Sequence, residues 1–193
     1  MQHKKNEKYA FVIQIDYNRW CRVPNLVGKL NAVARLTVRH LPKKFQFSAT
    51  STVVLTNDKA LRKLNRDFRG INKPTNVLSF PQFGPAELPK KGKSKFPVYL
   101  GDILIGYQYV VGEAKNTNKI LINHVTHLLI HGLLHLLGYD HLSEKDAVRM
   151  ERLEQKIMSA LDLPNPYRAA QKVRLKKVSA QGKNRRAKVR PKQ

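Results

Sequence analysis

Cysteine is nearly absent from this chain, since Cys21 is the only one among 193 residues. A single cysteine excludes an intrachain disulfide and a zinc site built from several thiolates. Long apolar stretches are also missing, because no unbroken run approaches the roughly 18 residues that a membrane helix needs. The first apolar run, at residues 9–13, is too short for the core of a secretion signal. We therefore expect a cytoplasmic protein that does not enter a membrane.

Acidic residues are scarce relative to basic ones, with 13 against 37, and the formal net charge is +24. From Arg168 to Gln193 there are eleven lysines or arginines and no acid. Dense positive charge neutralises phosphates and releases counterions, so the charge favours a nucleic-acid partner. An anionic membrane is the alternative, but residues 171–193 lack the large apolar residues of an amphipathic helix. We predict a basic, disordered C-terminal extension over residues 171–193.

Apolar periodicity predicts strands and helices in alternation along the rest of the chain. The predicted strands lie at 9–15 and within 47–57, 76–81 and 98–107. The predicted helices cover 25–41, 58–68, 107–116 and 119–137, and a last one follows Ser143. This order favours an α+β fold in which a small mixed four-stranded sheet is packed by about five helices. We expect one such domain over residues 1–170.

A long loop at residues 81–97 interrupts this pattern, because its prolines and glycines exclude regular structure. Such loops often carry functional residues. Lys90 and Lys91 in this loop are candidates for phosphate contact, and solvated charge is the alternative interpretation.

Histidines are concentrated in one stretch of the chain. Five of the seven lie within 18 residues, and residues 131–141 read HGLLHLLGYDH. His131 and His135 are one helical turn apart, which places two imidazoles about 6 Å apart on one face, as ligands of one metal ion require. Gly138 is placed to end the helix in a left-handed turn that returns His141 toward the other two. Neutral imidazole suits several divalent metals, and three imidazoles leave a coordination position open for chemistry.

The alternative is that each histidine is a hydrogen-bonded core residue. Three imidazoles buried together without a metal would be costly to satisfy. The sequence therefore predicts a three-histidine metal site on a helix and the following turn.

The spacing H-x3-H-x5-H equals that of the metzincin peptidase motif, including the glycine at position 138. Gly132, however, stands where the peptidases carry the glutamate that acts as general base, and glycine cannot transfer a proton. The sequence therefore disfavours a peptidase. Because glycine removes side-chain bulk, we hypothesise that Gly132 lets a substrate or a strand approach the helix closely.

Three separated motifs resemble the YbeY family of bacterial rRNA maturation factors, described as single-strand-specific metal-dependent endoribonucleases. They are HGLLHLLGYDH at 131–141, LNRDFRGINKPTNVLSFP at 64–81 and GDILI at 101–105. The resemblance extends in order from about residue 10 to NPYRAA at 165–170. It implies an endoribonuclease that acts in 16S rRNA 3′-end maturation and ribosome quality control, with rRNA and the small ribosomal subunit as partners.

The resemblance also implies a metal ion held by His131, His135 and His141, and an arginine, Arg69, that lines the cleft near it. Zn²⁺ is the expected ion, and other divalent metals remain open. The chemistry of the residue types agrees, because a planar guanidinium binds phosphate at two points and stabilises charge that builds on it. A solvated surface arginine is the alternative for Arg69.

Four residues are further candidates near this site. Asn76 and Ser79 could hydrogen-bond the substrate from the edge of a strand, with turn capping as the alternative. Asp140 could orient a ligand imidazole or only shape the turn. His127, one turn before His131, is expected to support the ligands or to lie in the core rather than to bind the metal itself.

Two other function classes remain open. The absent carboxylate base leaves room for a ribosome-assembly binding factor whose metal is structural and which cuts no RNA. A zincin-like metallopeptidase is the other. The residues do not indicate an oligomeric state.

Overall fold

A computed structural model describes residues 9–45, 47–88 and 96–168. The strands are β1 (Tyr9–Ile15), β2 (Ala49–Thr56), β3 (Val77–Pro81) and β4 (Val98–Gly106). The α-helices of these ranges are α1 (Leu26–His40), α2 (Asp58–Arg69), α3 (Tyr107–Asn116), α4 (Leu121–Leu136) and α5 (Glu144–Ala160). The predicted α+β fold, with four strands and five helices, is confirmed. Lys90, Lys91 and the predicted extension at 171–193 lie outside the described residues.

The sheet is mixed, with the strand order β1-β2-β4-β3. β1 and β4 both pair with β2 in parallel, and β3 pairs with β4 in the antiparallel direction. β3 is therefore an edge strand. Helices α1, α4 and α5 pack together with the sheet around one core that includes Leu30, Val53, Ile103, Leu129 and Ile157.

Local capping signals set the helix boundaries. The Asn57 side chain accepts a hydrogen bond of 3.0 Å from the backbone N–H of Ala60 and so caps the start of α2. Gly70 ends that helix in the left-handed conformation, with φ of 70°. Ser143 caps α5 by accepting from the N–H of Asp146 at 3.1 Å.

Two helices cover opposite faces of the edge strand β3. Ser79 lies against Gly132 of α4, whereas the ring of Phe80 lies 5.1 Å from that of Phe68 at the end of α2. Adjacent residues of a strand point to opposite faces, so α4 and α2 contact the two faces of β3 from either side. The end of α2 and the histidine-bearing helix α4 therefore lie on opposite faces of this edge strand.

None of the helices in the described ranges combines the length and the apolar character that crossing a membrane requires.

Candidate metal centre

His131, His135 and His141 come together, as predicted, at the C-terminal end of α4 and in the turn after it. One nitrogen from each ring lies within 4.8 Å of the other two. The Nε2 atoms of His131 and His135 are 3.1 Å apart, close to the separation of about 3.3 Å between two nitrogens bound to one tetrahedral zinc ion. The donor set and its spacing therefore fit a divalent metal ion.

The end of α4 is a tight turn that gives His141 its place. Gly138 has φ of 76°, and its N–H donates to the carbonyl of His135 at 2.9 Å. The N–H of Tyr139 donates to the carbonyl of Leu134 at 3.0 Å, which completes the pair of bonds of a Schellman turn. The chain reverses there, and the ring of His141 stacks against that of His131 with 5.5 Å between centroids.

A buried carboxylate orients the first of the three ligands. Glu154 of α5 has no exposed surface, and its Oε1 accepts a hydrogen bond of 2.8 Å from Nδ1–H of His131. Its Oε2 accepts from Nε2–H of His127 at 3.0 Å and from the hydroxyl of Tyr167. With the proton on Nδ1, His131 presents the lone pair of Nε2 to the cluster, as a metal ligand must.

Protonation states in the cluster also suit metal binding. Burial by itself would raise the pKa of Glu154, but the hydrogen bonds and charges of His127 and His131 outweigh it and hold that pKa at about 2. Burial, together with the neighbouring His131 and His141, lowers the pKa of His135 to about 4. At neutral pH Glu154 is therefore ionised and His135 carries a free lone pair.

The cluster opens into a cleft of about 550 Å³ between the end of α4, the end of α2 and β3. Arg69, the last residue of α2, is exposed and lines this cleft together with the three histidines. Ser79 lines it from β3. The predicted arginine and the predicted ligands thus face one cavity although they are separated by more than sixty residues of sequence.

The remaining predicted residues have contacts of their own. Asn76 lines the cleft, but its Nδ2 donates to Glu113 at 3.0 Å and its Oδ1 accepts from the N–H of Val77 at 2.7 Å, which is the capping alternative. Asp140 accepts from the N–H of His141 at 2.6 Å and so shapes the turn.

His127 lies one turn away from the cluster and reaches it through Glu154. Its Nε2 is engaged by that carboxylate rather than aimed at the other imidazoles. The contact places His127 among the supporting residues and not among the three that converge.

Gly132 makes room for the sheet rather than for the cleft. A Cβ atom at this position would lie 2.8 Å from Cγ2 of Ile103 and 3.0 Å from Oγ of Ser79. Ile103 and Ser79 are partners across β3 and β4, so the helix touches the sheet at this point with no space for a side chain. The hypothesis of a close approach by a strand is confirmed, and the position that holds a glutamate in peptidases cannot hold one here.

We expect Gly132→Ala to destabilise the protein and Gly112→Ala to stabilise it. Both glycines lie inside helices, where alanine is favoured by about 1 kcal/mol. The new methyl group at 132 would collide with the buried side chain of Ile103, an overpacking that costs about 1–3 kcal/mol, whereas nothing lies within 4 Å of a Cβ at 112. Urea unfolding of both variants measures the two free energies. If the two alanine variants were stabilised equally, the close contact between position 132 and Ile103 would be contradicted.

Sequence reasoning missed Glu154, Tyr167 and Glu113. Glu154 occupies a position one helical turn from Met150 and Ile157 on the buried stripe of α5. A carboxylate at a core position needs buried partners, and this was the signal that could have identified it. Glu113 has a similar role on α3, where its Oε2 also accepts from Nε2–H of buried His124 at 2.9 Å.

The sequence of this chain is similar to those of known proteins. The family model named Endoribonuclease YbeY matches residues 24–162. A protein named Endoribonuclease YbeY from Nitrobacter hamburgensis is 46% identical over 119 residues, which are 62% of this chain and 62% of that protein. Its namesake from Bradyrhizobium diazoefficiens is 47% identical over 119 residues, 62% of this chain and 64% of that protein. The match therefore spans somewhat less than two thirds of the length of these two relatives.

A solved structure was also compared with the fold. The solution structure of TM1509 from Thermotoga maritima is 22% identical, with a TM-score of 0.46, and covers 78% of this chain and 92% of that one. The family model alone extends over well more than half of the chain, from Pro24 to Asp162. The chain belongs to the YbeY endoribonuclease family.

Proposed function

We propose that this protein is a metal-dependent endoribonuclease that cuts single-stranded RNA. The observation that carries the proposal is the three-histidine cluster, which opens with Arg69 into one cleft. Names of the relatives, Endoribonuclease YbeY, support the same reaction class. The formal charge of +24 supports a polyanionic substrate.

Zn²⁺ is the metal that we propose for the cluster. Three neutral imidazoles with an open position form the ligand set of hydrolytic zinc sites, and Glu154 gives His131 the carboxylate partner that such ligands usually have. A zinc ion held there would supply Lewis acidity toward the phosphate and promote ionisation of the attacking water.

The side chains of this protein would supply the other requirements of the reaction. The guanidinium of Arg69 can hold two oxygens of the scissile phosphate and offset the charge that develops on them. Its place at the cleft, opposite α4, lets it act on a phosphate that also faces the histidines. Ser79 offers a hydroxyl to the substrate from β3. We assign Arg69 the catalytic role and Ser79 a binding role.

The proposed substrate is the 3′ end of 16S rRNA, and the proposed setting is ribosome maturation and quality control in the cytoplasm. The small ribosomal subunit would then be the partner. The support is the family membership together with the excess of basic residues, which suits a structured ribonucleoprotein surface.

The test is cleavage of a defined single-stranded RNA that carries the 16S 3′ end, by zinc-loaded protein, with and without a chelator. We expect internal cuts that disappear with the chelator and return when zinc is added. The variant in which His131, His135 and His141 are all alanine serves as control for contaminating nucleases and should be inactive. Cuts that persist in this variant would contradict the proposal.

A binding factor without nuclease activity is the second candidate. One observation favours it: among the described residues that line the cleft, Asp140 is the one carboxylate, and it is engaged with the N–H of His141. In this case the zinc-loaded protein would bind the same RNA and leave it intact in the assay above.

A further inference from the structure

Helix α2 carries a row of positive side chains that leads into the cleft. Lys59, Arg62, Arg66 and Arg69 are all exposed, and their spacing of three, four and three residues places them along one line of the helix. At 1.5 Å per residue the row is about 15 Å long. Its last member, Arg69, lines the cleft that holds the three histidines. We call these four residues the cationic row.

The cationic row borders an open hollow of about 530 Å³, which its first three members line together with Asn72. Nε–H of Arg62 donates to Oδ1 of Asn72 at 2.9 Å, which fixes the guanidinium and leaves its two outer nitrogens for another acceptor.

Acidic residues offset the row only in part. Nε of Arg66 pairs with Asp67 at 2.8 Å, while Asp58 is turned toward α3, where its Oδ1 accepts from the N–H of Tyr109 at 3.0 Å. Five cations and two acids therefore lie on this helix, and the row keeps a positive balance.

An exposed aromatic ring lies beside the end of the row. Phe68 follows Leu61 and Asn65 on the buried face of α2, but it lies at the end of the helix and remains 69% exposed. The ring packs edge to face against that of Phe80, at 5.1 Å between centroids. The ring is thus held in place at the sheet edge, next to Arg69, with most of its surface open to a ligand.

Phosphate-binding cations beside an exposed aromatic ring are the elements with which proteins bind single-stranded nucleic acid. Phosphates of a duplex could also contact the row, but paired bases could not reach a ring that stands at the sheet edge. We propose that the cationic row and Phe68 form an entry surface for single-stranded RNA, in which the row holds successive phosphates and Phe68 stacks on one unpaired base next to the cleft. This inference rests on the proposed function, since it assigns the substrate's path to that site.

The first test removes the charge of the row. The triple variant Lys59→Gln, Arg62→Gln and Arg66→Gln is titrated with a fluorescent single-stranded oligoribonucleotide in EDTA, so that binding is measured without cleavage. If all three side chains contact phosphates, the plot of log affinity against log salt becomes shallower by about 2, and binding weakens roughly 100-fold at 0.1 M salt.

The matched control is the triple variant Lys145→Gln, Arg152→Gln and Lys156→Gln. These three residues are exposed on α5, and their replacement changes the net charge by the same amount. We expect their salt slope to stay near that of the wild type. A loss of affinity equal in the two triple variants would show that only overall charge matters and would overturn the proposed surface.

The second test separates stacking from apolar contact. Phe68→Leu keeps an apolar side chain and loses the ring, whereas Phe68→Tyr keeps the ring. We expect Phe68→Leu to bind the single strand about fivefold more weakly or worse and Phe68→Tyr to bind like the wild type. Neither change should alter binding of the same oligonucleotide annealed to its complement. Ile120→Ala is the control, because Ile120 is 66% exposed at the other end of α4.

Equal binding of the single strand by Phe68→Leu and by the wild type would overturn the stacking role. The result is independent of the cleavage assay. If zinc-dependent cleavage fails while the row and Phe68 behave as expected, the proposed reaction is wrong and the entry surface stands. If cleavage succeeds while both sets of variants bind normally, the entry surface is wrong and the reaction stands.

Discussion

His135→Ala is expected to lose zinc and RNA cleavage together. His135 is the middle ligand of the cluster: its Nε2 lies 3.1 Å from that of His131, and its ring lies 5.1 Å from that of His141. Without it two imidazoles remain, which is too few for a stable zinc site in water. We expect the zinc content to fall from about one ion per chain to near zero, and cleavage to fall at least about 100-fold.

Metal analysis of protein purified without a chelating tag, together with the cleavage assay, measures both quantities. His40→Ala is the matched control, because it removes an imidazole from the end of α1 and outside the cluster. Circular dichroism shows whether the fold survives, and we expect it to do so, since the imidazole that the variant removes is only half-buried. Full zinc content in folded His135→Ala would refute the ligand assignment.

Glu154→Gln is expected to weaken zinc binding about 10–100-fold without removing a ligand. The carboxylate holds the proton of His131 on Nδ1 and so directs Nε2 toward the cluster. A neutral amide oxygen accepts the hydrogen bond of His131 less strongly than a carboxylate does. The amide NH₂ group is a donor, so it can accept neither from His127 nor from Tyr167. His131 would then be less basic and less firmly oriented.

Zinc affinity is measured by competition with a chelating dye, and unfolding in urea is followed in parallel. Glu144→Gln, at an exposed site in the first turn of the same helix, controls for the loss of one negative charge. An affinity unchanged from the wild type, in protein whose unfolding midpoint has moved, would mean that Glu154 stabilises the fold and does not tune the metal site.

Local features of the molecule were predictable from the sequence. The bounds of α2 depend on its two capping residues, Asn57 and Gly70. His131 and His135 face the same way because they are one helical turn apart. In both cases residues that are close in sequence determine the local structure. Gly138 likewise indicated the turn that returns His141. Each of these features is decided within about four residues of chain, where helix geometry applies directly.

Long-range partners were not predictable in this way. The sequence left open whether Asp140 orients a ligand imidazole or only shapes the turn, and its carboxylate accepts from the backbone N–H of His141 rather than from a ring. The carboxylate that does this is Glu154, 23 residues from His131, and it reaches the ring only because α4 and α5 pack together. Strand order and the two faces of β3 also depend on tertiary packing, which residue patterns do not specify.

The hydrogen bond from Tyr167 to Glu154 extends the support of the histidine cluster beyond the last helix. The family model stops at residue 162, and the last helix stops at Ala160, yet the hydroxyl that completes the buried carboxylate comes from five residues beyond the matched segment. Burial and the charge of Glu154 raise the pKa of Tyr167, so this hydroxyl keeps its proton and donates at neutral pH. The short irregular segment after α5 thereby belongs to the support of the histidine cluster, because the carboxylate that orients His131 takes one of its hydrogen bonds from Tyr167.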